Sequence, residues 1–204
     1  MLSCIECDVK TAGFNEELWG IIMEKVTALA ESLNIEDISQ IPAISASRKA
    51  YKACGKAPAR YRLSAEALLR RIVNRGEIYQ INNVVDLLNL VSVTTGYSIG
   101  GYDAEKISGK ILFGIGSAGE PYTGIGRGVL NIENMPVFRD EIGAFGTSTS
   151  DAKRTCVTPE TGKFLMIIVD YQFDADHLAK ATELATGFLE KYAGAKNIEK
   201  KIVS

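Results

Sequence analysis

Residues 64–103 read SAEALLRRIVNRGEIYQINNVVDLLNLVSVTTGYSIGGYD, a stretch that packs two helix patterns and a glycine pair into forty residues. Ser64 is placed to accept hydrogen bonds from the free amides of a helix start, Glu66 suits the positive end of the helix dipole, and Leu63 and Leu68 stand at hydrophobic-staple spacing. Gly76 supplies the stop. A second helix opens at Asn82 or Asn83 and ends at Gly96, and between them Val84, Val85, Leu87, Leu88, Leu90 and Val91 leave little surface that is not apolar, so this helix is expected to be buried. Asn82, Asp86 and Asn89, spaced i, i+4, i+7, share one stripe of it. Buried polar groups need partners, and such a stripe serves equally to tie down neighbouring loops or to wall a pocket. Gly100, Gly101 and Tyr102 are expected to form the adjoining turn.

Upstream, residues 2–9 alternate with Ile5, Cys7 and Val9 on one side, which predicts an opening strand and sends Cys4 and Cys7 to opposite faces. That spacing argues against a metal or redox site, and Cys54 and Cys156 stand alone, so no metal is expected. Asn15 caps a helix running to about Leu33, with Leu18, Ile21, Ile22, Val26, Leu29 and Leu33 inward. Pro42 and Gly55 bracket the next helix.

Downstream the texture changes. Six glycines fall between Gly114 and Gly128, separated by short apolar runs that read as strands and turns. Gly114, Gly116 and Gly119 spell the dinucleotide fingerprint, but Glu120-Pro121-Tyr122-Thr123-Gly124 follows instead of a helix, and no P-loop occurs, so no nucleotide cofactor is expected. Lys163–Val169 is a strand buried on both faces. Asp174 or Asp176 starts a last helix that stops at Gly194, and a short strand near 198–203 closes the chain. Helices mostly before residue 97 and strands mostly after it predict an α+β fold, a layered β-sandwich or set of mixed sheets flanked by helices.

The chain has 204 residues, 46% of them hydrophobic, with a net charge of −2 and four cysteines. One domain over residues 1–204 is expected, in a reducing compartment and without a signal peptide or membrane span, hence cytoplasmic. Charge is unevenly placed: residues 48–75 carry nine basic residues against Glu66 alone, a segment of +8 in a chain whose remainder is −10. Arg48, Lys52, Lys56, Arg60, Arg62 and Arg71, with Tyr51 and Tyr61 interleaved, form either a phosphate-binding surface or a solvated helical face. His177 is the single histidine, in the first turn of a surface helix, and the cluster Gly146-Thr147-Ser148-Thr149-Ser150 has no adjacent base, so no covalent nucleophile is evident.

Five ordered pieces, SAEALLRR, INNVVDLLNLVSVTTG, GGYDAEKISG, EPYTGIGRG and TCVTPETGKFLMII, resemble the B3/B4 domain of the bacterial phenylalanyl-tRNA synthetase beta subunit. The run RKAYKACGKAPARYR resembles free-standing members of that family. The resemblance implies sheets layered with helices, with an N-terminal strand and helices over 1–62, a core over 63–170, and a C-terminal helix and tail over 171–204. It also implies aminoacylated tRNA as partner and hydrolysis of misacylated tRNA in trans, with substrate-binding residues among Asn82, Asp86, Asn89, Gly100, Gly101 and Tyr102. Asn89 matches a pocket asparagine of the family, and Asn89 and Asp86 are the catalytic candidates. Leu88 replaces the neighbouring family threonine, Gly100 replaces a histidine, and the family's late carboxylate falls near Ile167. A non-catalytic RNA-binding module and an amino-acid-like small-molecule pocket remain open alternatives. No class II synthetase core is present, so the chain is not expected to aminoacylate. The residues do not decide its oligomeric state.

Overall fold

The alternating start forms β1 (Leu2–Asp8), after which the chain runs α1 (Glu16–Ser32), α2 (Pro42–Ala53), α3 (Ser64–Arg75), α4 (Asn83–Thr95), β2 (Ser98–Asp103), β3 (Leu112–Ile115), β4 (Thr123–Gly124), β5 (Gly128–Val129), β6 (Pro136–Arg139), β7 (Ala144–Thr147), β8 (Lys163–Val169), α5 (Ala175–Ala193) and β9 (Lys196–Val203). This computed structural model describes residues 1–204. Strands β2, β8, β1 and β9 form an antiparallel sheet in that order, β3, β6 and β7 a second, and β4 and β5 a small hairpin. The protein is an α+β fold of layered sheets with helices on one side.

Alternation along β8 explains its unbroken apolar run. Phe164, Met166 and Ile168 face a core shared with α1, α3, α4 and α5, whereas Leu165, Ile167 and Val169 face a second core shared with β6, β7, Tyr51, Tyr102 and Tyr122. Both faces are covered, so neither accepts a polar residue. Cys7 lies in the helix-side core and Cys4 beside the other, as odd spacing in a strand requires.

The helix ends follow local chemistry with one exception. Asn15, Asn82 and Asp174 each accept a hydrogen bond from the amide three residues on, and α3, α4 and α5 stop at Gly76, Gly96 and Gly194 in the left-handed conformation. Ser64 is not a cap. It is the first residue of α3, Leu63 occupies the cap position, and the Ser64 amide donates instead to Ser148 O at 2.9 Å. A distant backbone oxygen satisfies the donor that the sequence assigned to a local side chain.

Asn83 does the tying down that the polar stripe of α4 suggested. Its Nδ2 donates to Lys10 O (3.0 Å) and Tyr192 O (2.9 Å), and its Oδ1 accepts from Ala12 N (2.8 Å), so one 2%-exposed side chain clamps the segment after β1 and the end of α5 to the start of α4. Asn83→Ala is expected to cost about 1–3 kcal/mol, because it strands buried backbone groups rather than merely losing contacts. Thermal and urea melts of the purified variant check this, and a wild-type midpoint overturns it.

Candidate functional site

The residues proposed to share a pocket around α4 and β2 are separated by the main sheet. Asn82 Oδ1 is used as the α4 cap, and Asp86 Oδ1 accepts from the Ile81 amide at 2.8 Å. Burial pushes the Asp86 carboxyl up to about 6, although hydrogen bonds from the Ile81 and Asn82 amides pull it back. Asn89 is half-buried on the same helix, and its side chain makes no hydrogen bond within the chain. All three belong to the helix layer. Gly100 and Tyr102 are instead on the opposite face of β2, with the second core.

Gly100, Gly101 and Tyr102 do not form a turn, which corrects the expectation from sequence. They lie inside β2, opposite Ile167, Met166 and Leu165 of β8. The glycines are there for close approach. A Cβ on Gly101 would lie 2.6 Å from Leu88 Cδ1, where α4 meets the sheet, and a Cβ on Gly100 would lie 2.1 Å from Tyr102 Oη. The space over Gly100 is therefore filled by the Tyr102 ring, which also covers Gly146 of β7. Ile167, where the resemblance places a carboxylate, is 1% exposed in the second core.

The basic segment divides into paired and unpaired cations. Arg48 and Arg70 both bind Glu66, at 2.9 Å each, and Glu66 is only 2% exposed. Arg71 contacts Glu77, donates to Tyr79 Oη at 2.7 Å and lies over the Tyr79 ring at 3.7 Å. Arg48 and Arg71 are thus engaged within the fold by carboxylates. Tyr51 is fully buried and unavailable for stacking, whereas Tyr61 is half-buried with Lys56 and Arg60 near its ring. Lys52, Lys56, Arg60 and Arg62 have no carboxylate partner.

Arg60 and Arg62 converge on a cleft of about 280 Å³ between the segment preceding α3 and the loop after β7, and Arg127, from the tip of the β4–β5 hairpin, lines it too. Arg127 also has no carboxylate partner. Leu130, Ile132 and Met135 supply apolar lining, and Thr147, Thr149 and Ser150 supply hydroxyl groups. The hydroxyl loop is held by its own bonds: Thr147 Oγ1 accepts from the amides of Thr149 (3.1 Å) and Ser150 (3.0 Å) and donates to Ser150 O (2.9 Å). Tyr122 Oη donates to Ser150 O from below at 2.5 Å. What reads in sequence as a serine and threonine run is a rigid turn. A larger trough of about 830 Å³, where the main sheet meets β3 and β6 of the second sheet, carries both signs of charge, with Glu6 and Glu199 against Lys110, Lys200 and Lys201.

Next to this loop, Tyr102 Oη donates to Asp151 Oδ1 at 2.8 Å. Burial pushes the Asp151 carboxyl up to about 7, against the lowering effect of that hydrogen bond. Arg154 does not neutralise it, because its guanidinium is engaged by Asp140 at 2.6 and 3.1 Å. Arg127, the hydroxyl turn and Asp151 were missed in the sequence. The only local signals were an arginine among glycines in Thr123–Gly128 and the hydroxyl run itself.

No curated protein is matched by this sequence. Among solved structures, the chain is similar to an N-terminal fragment of the phenylalanyl-tRNA synthetase beta subunit from Pyrococcus horikoshii, at 17% identity and a TM-score of 0.49. That match covers 56% of this chain and 40% of the fragment, so this chain spans well under half of the fragment's length. No helix is long and apolar enough to cross a membrane. A model of the B3/4 domain matches residues 46–194, from within α2 to the stop of α5, and on that match the chain belongs to the B3/4 domain family.

Proposed function

We propose that this chain binds tRNA in its aminoacylated form and clears misacylated tRNA by ester hydrolysis in trans, acting in the cytoplasm. The observation that carries the reading is the set of cations left without carboxylate partners. Of the nine cations in residues 48–75, Arg48, Arg70 and Arg71 are paired; Lys49, Lys52, Lys56, Arg60 and Arg62 remain on one short segment with Arg75 at the end of α3, and Arg127 comes from a remote hairpin to join Arg60 and Arg62 at the same cleft. Exposed cations that fold has not paired are available to phosphates.

A non-catalytic RNA-binding module is the second reading, and a specific observation favours it. Tyr102 fills the space over Gly100, and the catalytic candidates Asp86 and Asn89 are on the far side of the sheet. A panel of mischarged tRNAs separates the two, since release of amino acid above background supports hydrolysis and its absence for every tRNA leaves binding alone.

Binding itself is tested by filter titration at two salt concentrations. Changing Lys52, Arg60 and Arg62 together to alanine is expected to weaken tRNA binding and to flatten the log affinity against log salt slope by roughly 0.7–0.9 per lost phosphate contact. Arg71→Ala is expected to leave the slope unchanged, because its guanidinium already faces Glu77 and Tyr79. Identical curves for wild type and the triple variant overturn the nucleic-acid reading.

A further inference from the structure

We infer that the cleft between the segment preceding α3 and the β7 loop is a seat for one nucleotide unit, with its phosphate held by Arg60, Arg62 and Arg127 and its ring laid against the apolar side of the cleft. The inference deepens the tRNA reading, from which it takes only the source of the nucleotide. Its chemistry stands on the cleft alone.

Three features of the cleft specify this ligand. The first is its charge: three guanidiniums line it, none bound to a carboxylate, although arginines nearby in the fold are so bound. Arginine forks match phosphate oxygens in pairs, and an exposed cluster of like charge invites an anion. The second is its asymmetry. Val129, Leu130, Ile132 and Met135 present a hydrocarbon surface, and Asn131 stands among them with its Oδ1 already accepting from Glu133 N at 2.9 Å and its amide nitrogen unpaired. An apolar surface with an amide donor among its residues suits a base face and the acceptor atoms along a base edge. A bare inorganic anion makes no use of that side. The third is size. At about 280 Å³ the cleft is at the lower end of small-ligand sites and admits a single nucleotide, not a duplex.

Preorganisation supports the same conclusion. The turn over Thr147–Ser150 is fixed by its own hydrogen bonds and by Tyr122, so this wall of the cleft is set without an ordering cost on binding. Gly124 lets the β4–β5 hairpin pack down on that turn, since a Cβ there would lie 2.7 Å from Leu130 Cδ1 and 2.9 Å from Ser150 Oγ. The hairpin is further anchored by Ile125 N donating to Asp151 O at 3.0 Å. Arg127 is thereby carried to the cleft on a braced arm.

Calorimetric titration of the full chain with adenosine 5′-monophosphate, adenosine and inorganic phosphate tests the inference. Adenosine 5′-monophosphate is expected to bind more tightly than either part alone, and to weaken as salt rises. Arg127→Ala is expected to reduce its affinity about tenfold and Arg127→Lys by less, with both variants melting as wild type does. A single-stranded tetranucleotide RNA titrated in parallel separates the sources: tighter binding than the mononucleotide assigns the seat to an RNA chain, and equal or weaker binding assigns it to a free nucleotide. No mononucleotide or tetranucleotide binding at millimolar concentration, or binding that Arg127→Ala leaves unchanged, overturns the inference. Failure here is distinct from failure of the tRNA reading. A chain that holds tRNA on filters but no nucleotide in the cleft loses the seat and keeps the partner, whereas nucleotide binding without tRNA binding does the reverse.

Discussion

Tyr102→Ala is expected to destabilise the fold by about 3–5 kcal/mol, the range for removing a large buried ring whose cavity cannot collapse. The reason is the pair of glycines on either side. Tyr102 is 0% exposed, and a Cβ added to Gly100 of β2 or to Gly146 of β7 would each lie 2.1 Å from its hydroxyl oxygen. The ring is a plate between two sheets whose backbones have no side chain to move into the space, and the edge-on Phe145 ring, 4.9 Å away, is its remaining aromatic neighbour. Tyr102→Phe keeps the plate and removes the hydroxyl that Asp151 Oδ1 accepts at 2.8 Å, so a smaller loss of about 1–3 kcal/mol is expected. Gly100→Ala is expected to be as harmful as the phenylalanine change or worse, since the added methyl displaces the hydroxyl end of the ring. Urea titrations of the three variants check the order. A Tyr102→Ala protein within about 1 kcal/mol of wild type would show that the two sheets close over the gap.

This plate also explains which parts of the molecule could be read from the sequence. The elements governed by residues near one another in the chain were legible: Asn15 as a cap, the α4 and α5 caps to within the pairs Asn82 or Asn83 and Asp174 or Asp176, Gly76, Gly96 and Gly194 as stops, and the buried run of β8. Each rests on a hydrogen bond to a residue three to five positions away or on an unbroken apolar run. Gly100 and Gly101 misled because paired glycines are as suited to a tight turn as to a strand that others must approach closely. Only the β8 partner strand and the returning Tyr102 side chain choose between those uses, and β8 is more than sixty residues downstream. Ser64 misled for the same reason, with its satisfied amide depending on Ser148.

The candidate site was half legible. A charge run in sequence counts every cation equally, but Glu66 gathers Arg48 and Arg70 from two helices, and Glu77 and Tyr79 hold Arg71. Folding therefore sorts nine like residues into those spent on structure and those left over. Arg127 could not be joined to Arg60 and Arg62 from the sequence, because nothing in spacing alone brings a hairpin tip to a loop more than sixty residues before it.

The largest pH effect is expected from Asp151, and Asp151→Asn is expected to remove it. Burial raises the carboxyl from 3.8 to about 7 with only the Tyr102 hydrogen bond opposing the shift, and the nearby Arg154 is engaged with Asp140. A folded-state pKa above the unfolded value means that folding takes up a proton in the interval between them. Stability from this group is therefore greatest below about pH 4, falls as pH rises toward 7, and is flat above. At roughly 1.4 kcal/mol per pH unit the full swing is a few kcal/mol. Asp86, raised to about 6 by burial, acts in the same direction over a lower range of pH. The larger part of the step between pH 6 and 7 therefore belongs to Asp151. Asparagine keeps an oxygen to accept from Tyr102 and never ionises, so Asp151→Asn is expected to match wild type at pH 4.5 and to exceed it by a few kcal/mol at pH 8. Urea titrations at pH 4.5, 6, 7 and 8 measure the difference, with Asp86→Asn as the comparison that flattens the lower part of the curve only. Parallel profiles for wild type and Asp151→Asn would mean that the carboxylate is solvated well enough to keep its ordinary pKa, and that the Tyr102 hydrogen bond is worth the same in both charge states.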